Sequence, residues 1–437
     1  MTARHRHRYD RATADLDPPL AIVDMDAFRA NAADLIRRAG GLPIRVASKS
    51  LRVRRLIAEA LAYELQDAGG AAAGRESSGG RVRSGFAGVM AFSLAEALWL
   101  ADPESSAEPG AVEPGAVEPV PGTDPPTNGL PPGTDLLVGY PTVDRSALAR
   151  LGDMPQLAEQ ITLTIDDTAH LDLIQDVLGP RHAEIRLCLD IDTSWRPFGA
   201  WIGARRSPIR ATADAVRLAR EIAERPGFRL VGVLTYEAQV AGTQDRSPAV
   251  RLVKQRSVEE IRGRRADLIR AVREIADLEF VNAGGTGSLE SSGSDPWVDE
   301  LTAGSGLLGP ALFDGYRGFR PRPAALIAFP VVRRPADRVA TVYSGGWIAS
   351  GPSGRDRSPV PYLPGGLRLS GLEGAGEVQT PLLGEAAADL EVGDRVWFRH
   401  AKSGEPFEHV DNVHLVETDR VLATVPTYRG EGRTFGV

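Results

Sequence analysis

Eight short apolar runs, most of them separated by a stretch of helical periodicity, constrain this chain more than any other feature. The runs are Leu42 to Ala47, Gly88 to Phe92, Asp135 to Tyr140, Ile161 to Ile165, Ile185 to Ile191, Leu230 to Tyr236, Phe280 to Ala283 and Leu301 to Leu308. Before the first of them lies an amphipathic pattern over Ala27 to Ala39, and between them lie others over Leu51 to Leu65, Leu94 to Leu100, Arg145 to Leu151, Ala169 to Leu178, Ala211 to Ala223 and Val250 to Ile275. In the first of these, Phe28, Ala32, Leu35 and Ile36 share a face that Arg29, Asp34 and Arg37 avoid. Strands alternating with helices imply a parallel sheet, and eight such units fit an α/β architecture, the (β/α)8 TIM-type barrel of about 250 residues. The glycines of the last run also suit a loop.

The rhythm stops near residue 324. Leu326 to Arg333, Arg338 to Tyr343, Arg395 to Arg399 and Val410 to Glu417 then read as strands between Gly/Pro turns, which predicts a C-terminal all-β domain over 324–437 behind a barrel over 19–323. Residues 1–18 either pack on the β domain or are disordered, and the strand Leu20 to Asp24 suits a partner in either domain. Pro103 to Thr134 holds nine prolines, no lysine or arginine, and the near-repeat Glu-Pro-Gly-Ala-Val. Such a composition buries too little apolar surface to offset its ordering entropy, so a disordered insertion in the barrel is expected there, and Gly69 to Gly85 reads as a flexible loop.

Composition narrows the function classes. A net charge of −7 argues against a nucleic-acid surface. One cysteine, Cys188, excludes an internal disulfide framework and a Cys-rich zinc site. No stretch approaches the roughly 18 apolar residues of a membrane span, and no apolar segment follows the basic start, so a soluble cytoplasmic protein is expected.

In a barrel the chemistry sits at the C-terminal strand ends. Lys49 follows the first predicted strand and projects an amine over the barrel mouth, where it serves as a nucleophile or as a solvated surface charge. Gly284-Gly285-Thr286-Gly287 follows the seventh, where glycine N–H groups and a threonine hydroxyl suit a phosphate. A lysine on strand one and a phosphate turn on strand seven suggest pyridoxal phosphate.

With these motifs the sequence resembles the fold-type III pyridoxal-phosphate enzymes, the alanine racemase-like barrel group that includes D-threonine aldolase and D-serine dehydratase. The resemblance is carried by Pro19-Leu20-Ala21-Ile22-Val23-Asp24, Ala47-Ser48-Lys49-Ser50, Val138-Gly139-Tyr140-Pro141, Asp190-Ile191-Asp192 with Arg196-Pro197-Phe198-Gly199, Thr235-Tyr236-Glu237, and Asn282-Ala283-Gly284-Gly285-Thr286-Gly287. It implies a Schiff base on Lys49, a phosphate held by Gly284, Gly285 and Thr286, and a cofactor lined by Tyr236 and Arg196. For the last two the ordinary readings are a core tyrosine and an Arg196–Asp192 ion pair.

The resemblance also implies a divalent metal on a His-x-Cys or His-x-Asp pair in the β domain. Here His400 falls on the first position and Lys402 on the second, and an ammonium repels a cation. Two expectations follow. Either Lys402 supplies the positive charge itself with His400 as general acid or base, or His400 finds Asp411 as a replacement ligand. His409 and Asp411, two residues apart, share one face of a strand.

The activity so implied is that of a lyase acting on a D-β-hydroxy amino acid, by retro-aldol cleavage or by dehydration and deamination. The alternatives are an amino acid racemase, needing a second base such as Tyr343 or Tyr362, and a non-catalytic pyridoxal-phosphate-binding protein. A small amino acid substrate and a homodimer, with no nucleic acid or membrane partner, complete the expectation.

Overall fold

The computed structural model describes residues 2–63, 76–77, 80–81, 85–102, 129–352 and 354–436. Most of the Gly69 to Gly85 loop, and the Pro103 to Thr134 insertion up to residue 128, lie outside the described residues.

Eight parallel strands close a barrel: Pro43–Ala47, Gly85–Ala91, Leu136–Val138, Ile161–Ile165, Ile185–Asp190, Phe228–Thr235, Phe280–Ala283 and Glu300–Ala303. The eighth pairs with the first through Leu301↔Ile44 and Ala303↔Val46, which completes the cylinder. All eight apolar runs thus hold their strands. The last ends at Ala303 and turns into the short helix Ser305–Leu308, because Gly304 breaks the extended backbone. Helices start where a side chain can satisfy their free N–H groups: Asp24 caps Met25–Arg38, Ser93 caps Leu94–Ala101, Asp144 caps Arg145–Asp153, and Ser247 caps Pro248–Arg273.

The barrel interior is packed, not open. Leu137, Cys188, Val231, Leu234 and Phe280 fill it. Gly232 makes room for Phe280, since a Cβ there would stand 2.2 Å from the ring. Below them the buried Arg45 holds both carboxylate oxygens of Glu300 at 2.8 Å. The free end of the barrel is therefore the C-terminal one.

The second domain is a largely antiparallel sheet in which Ala325–Ala336 pairs with Val339–Tyr343, Arg395–Arg399 and Leu20–Asp24. Leu20–Asp24, inside the 19–323 span expected for the barrel, is thus a strand of this sheet, and it also runs parallel to Asn412–Glu417. The N-terminal helix Thr2–Ala12 covers the same sheet. Tyr9 packs on Trp397 with centroids 5.5 Å apart, and the Trp397 indole donates to Asp10 at 2.8 Å. Val360–Leu363, Gln379–Leu383 and Arg420–Pro426 are strands that the periodicity missed. Prolines and charges interrupt their alternation. Among the described residues no helix is long and apolar enough to cross a membrane.

Candidate active site

A cavity of about 340 Å³ opens where the strand ends meet the β domain. Lys49 stands on its floor, in the single turn Ser48–Ser50 that follows the first barrel strand. The turn is held from both domains. Ser48 donates to Met90 O at 3.0 Å, and Gly404 of the β domain lies so close that a Cβ would fall 2.3 Å from the Lys49 carbonyl oxygen. Gly404 also has φ +107°, so both the close approach and the backbone call for glycine. Behind the turn the buried Glu96, pushed up to about 7 by burial, accepts from the Tyr428 hydroxyl at 2.8 Å. Lys49 Nζ donates to the Tyr140 hydroxyl at 3.3 Å.

Next but one around the barrel, beyond the eighth strand, lies the glycine turn. Gly284 takes φ +86°, and a Cβ on Gly285 would stand 3.0 Å from Ala241 Cβ and 3.2 Å from the Tyr236 ring. Thr286 Oγ1 accepts from Gly306 N at 3.1 Å and lies 3.2 Å from Ser305 Oγ, which ties this turn to the Gly304–Gly306 turn after strand eight. Two glycine turns carrying hydroxyls, joined through Thr286 at the edge of the cavity, fit a phosphate group. With Lys49 lining the same cavity, the residues present fit pyridoxal phosphate.

Tyr236 lines the cavity as expected. Burial pushes its hydroxyl up to about 12 against the lowering influence of Arg206, so it stays protonated at neutral pH. Arg196 is not at the cavity. Its guanidinium donates to Asp192 at 2.6 Å and stacks 3.4 Å over the Trp201 ring, so the ion-pair reading holds for it.

The β-domain wall separates the residues that the sequence pairs. Lys402 lines the cavity and donates to Ser350 O at 3.1 Å and Ser350 Oγ at 3.2 Å. Burial lowers its pKa, opposed by Glu405 and aided by the positive charges of Arg357 and Lys49. His400 faces the other way. It is 2 % exposed, its Nδ1 lies 3.3 Å from Ala325 O, and its Nε2 lies 3.0 Å from Ser403 Oγ. The carbonyl can only accept, so Nδ1 carries the proton and Nε2 accepts from Ser403. Burial, with Arg399 adding, lowers the His400 pKa to about 3 and keeps the ring neutral.

Hence His400 reaches the cavity only through Ser403, which does line it. Asp411 is paired with Arg429 at 3.1 Å on the surface, so it is not a second ligand for His400. Among the described residues no three His, Cys, Asp or Glu side chains are grouped to hold a metal ion. The donor set does not fit a divalent metal.

Asp190, quoted among the motifs but given no role there, lines the cavity, and so do Arg206 and Arg357, which the motif reading missed. Burial, with Asp166 adding, pushes the Asp190 carboxyl up to about 7. Arg206 and Arg357 come from irregular segments without periodicity. A simpler signal was present for Lys402: the chain has only three lysines, Lys49, Lys254 and Lys402, and two of them line this cavity. Tyr343 and Tyr362 do not line it.

No protein-family model matches the chain, and no curated protein sequence matches it. Solved structures do. D-threonine aldolase from Filomicrobium marinum superposes with a TM-score of 0.71 at 20% identity, over 97% of each chain. D-threo-3-hydroxyaspartate dehydratase from Delftia sp. HT23 gives 0.64 at 19%, over 95% of this chain and 98% of that one. Alanine racemase from Clostridium difficile 630, in complex with cycloserine, gives 0.58 at 13%, over 94% and 99%. At such identities the likeness speaks for the fold: this chain has the barrel-and-β-domain fold shared by D-threonine aldolase, D-threo-3-hydroxyaspartate dehydratase and alanine racemase, the fold type III that its motifs led us to expect.

Proposed function

We propose that the chain is a pyridoxal-phosphate-dependent lyase acting on a D-β-hydroxy amino acid. One observation carries this reading: Lys49 from the barrel and Lys402 from the β domain line one cavity together with the glycine turn at 284–286. When bound, the cofactor supplies an electron-withdrawing ring that weakens the bonds at the substrate's Cα. The chain does the rest. Gly284, Gly285 and Thr286 would hold the phosphate, and Lys49 would hold the cofactor's carbonyl carbon and serve to move a proton at the substrate's Cα.

Lys402 acts at the β-oxygen. An ammonium there places a fixed positive charge and a transferable proton beside a developing alkoxide or departing hydroxide, the task a metal performs elsewhere. Its two bonds to Ser350 leave one N–H for the substrate. His400 is a positioning residue that fixes the Ser403 hydroxyl at the cavity wall. A racemase would need a second base on the face opposite Lys49; Tyr343 and Tyr362 do not line this chain's cavity, so either would have to be delivered by the β domain of a partner subunit. The working form is proposed as a homodimer.

The test is a screen of D- and L-serine, threonine and phenylserine that scores products separately. Glycine with an aldehyde identifies an aldolase, and a keto acid with ammonia identifies a dehydratase. Inversion of the amino acid without cleavage overturns the lyase reading in favour of a racemase, and cofactor binding without any product leaves only a binding protein.

A further inference from the structure

Resting on the cofactor and amino acid of that reading, we propose that Asp190 and Arg206 form a subsite for a ligand oxyanion, which accepts one hydrogen bond from the protonated Asp190 carboxyl and another from the Arg206 guanidinium.

Asp190 ends the fifth barrel strand, four places around the closed sheet from the first, so it stands on the side of the mouth opposite Lys49. Both residues line the cavity. A ligand held at the first strand by Lys49 and at the seventh by the glycine turn leaves the fifth-strand side free for a further contact. Ser207 donates to the Asp190 backbone carbonyl at 2.7 Å, but among the described residues no side chain hydrogen-bonds to the Asp190 carboxyl. Arg206 lies 5.6 Å from the Tyr140 ring and 5.8 Å from the Tyr236 ring, and makes no hydrogen bond or ion pair among the described residues. Carboxyl and guanidinium thus feel each other's charge without being paired. Both keep hydrogen-bonding capacity that a ligand in the cavity can take up.

Two kinds of oxygen can bridge such groups. A hydroxyl donates to an ionised carboxylate, whereas an oxyanion needs a neutral carboxyl that donates to it. The surroundings favour the oxyanion. Burial, with Asp166 and Asp192 adding negative charge, pushes the Asp190 carboxyl up to about 7, against the opposing influence of Arg206 and the Ile191 N–H. Asp166, just after the fourth strand, lies 3.5 Å from His170 Nδ1. Asp192 accepts from Arg196 at 2.6 Å and from Ser194 Oγ at 2.8 Å. The sixth strand brings Tyr236, which stays protonated, and the barrel interior brings Cys188, whose thiol burial keeps neutral. Four cationic side chains, Lys49, Arg206, Arg357 and Lys402, line the cavity against two carboxyl groups, which draws an anion in. An arriving oxyanion disfavours ionised Asp190 still further, and so fixes the carboxyl in the form that donates. Two oxyanions meet this description, the ring oxygen of the cofactor and the carboxylate of the amino acid.

The test counts protons. Calorimetry of wild type and Asp190→Asn at pH 7.5, in two buffers of different ionisation enthalpy, gives the protons bound with each ligand. Pyridoxal phosphate is added to the cofactor-free protein, then D-alanine, which has no β-oxygen, to the loaded protein. Protons exchanged by the phosphate and by Lys49 appear in both proteins, so the difference belongs to Asp190. We expect wild type to take up about 0.5 to 0.8 proton more than Asp190→Asn in one of the two steps, as a carboxyl titrating near 7 becomes fully protonated. Uptake in the first step assigns the oxyanion to the cofactor, and uptake in the second assigns it to the amino acid. The ligand binds the protonated form, so its advantage is lost as pH rises through 7. In that step the wild-type affinity should fall about 10- to 30-fold more than that of Asp190→Asn between pH 6.5 and 8.5. Arg206→Gln should weaken the same step about 10-fold or more, and Arg206→Lys should restore part of the loss.

Equal proton counts in the two proteins at both steps overturn the inference and leave the lyase reading standing. Equal counts with Asp190→Asn weaker at every pH also overturn it, in favour of a hydroxyl held by an ionised Asp190. A wild type that binds no pyridoxal phosphate overturns the cofactor reading, and the subsite with it. Asp190→Glu, which keeps a titrating carboxyl, should keep the proton uptake, and an unchanged melting temperature in Asp190→Asn shows that a lost uptake is not a lost fold.

Discussion

The two walls of the cavity are built by different physics. On the barrel wall, Lys49, Tyr140, Asp190, Tyr236 and the turn at 284–286 each lie at or within a few residues of a strand's C-terminal end, so the hydrogen-bond register of a closed sheet sets their spacing. On the β-domain wall, Arg357, Lys402 and Ser403 stand on loops whose positions depend on a few side-chain bonds such as Lys402 to Ser350. The barrel wall is suited to a constant cofactor.

The contrast is sharpest between two neighbours on that second wall, His400 and Lys402, and breaking it should have the largest effect. Lys402→Ala is expected to lower turnover roughly 100-fold or more, the scale of removing one preorganised charge from a transition state, while leaving the absorbance of bound cofactor unchanged. Wild-type activity should survive exhaustive chelation. Loss on chelation with recovery in zinc or manganese would show that a metal does work at this wall that we assign to Lys402.

His400 should show up in stability, not in chelation. The folded chain keeps its imidazole neutral down to about pH 3, whereas the unfolded chain takes up a proton below about 6.5. The stability tied to neutral His400 is therefore complete above pH 6.5 and is lost as pH falls from there towards 3. His400→Gln is expected to cost about 1–3 kcal/mol at pH 7.5 through its broken bonds to Ala325 and Ser403, and that deficit should shrink at pH 5. Melting curves of both proteins at the two pH values check this. A deficit that grows on acidification would contradict a buried neutral ring.

The smallest effect belongs to Arg196. Its side chain is about a third exposed, and Asp192 keeps Ser194 as a partner without it. Arg196→Ala should cost about 1 kcal/mol or less and leave cofactor absorbance intact. Loss of that absorbance would move Arg196 from the surface to the cofactor.

Much of the barrel wall was legible in the sequence, because it depends on periodicity. The apolar runs locate the strands, and Lys49, Tyr236 and Gly284 to Thr286 are read off their ends. Arg196 misled because a motif carries residue identity but not direction. With Asp192 four residues before it and Trp201 five after, its side chain has local partners that hold it away from the cavity. The β-domain wall was legible only through Lys402. His400 lies two residues away in sequence, yet it points into the core: the strand ends at Arg399, so the alternation that would put both residues on one face does not extend to Lys402. Arg206 and Arg357 left no pattern at all, since the segments bearing them have no period and only the tertiary fold brings them to one cavity.

The central claim is that Lys49 carries the cofactor, and borohydride reduction of the cofactor-loaded protein followed by peptide mapping tests it most directly. With only Lys49, Lys254 and Lys402 to choose from, the result is unambiguous. The account predicts a pyridoxyl group on the peptide containing Lys49 and none on the other two. A label on Lys402 or Lys254, or no retained cofactor at all, would contradict it.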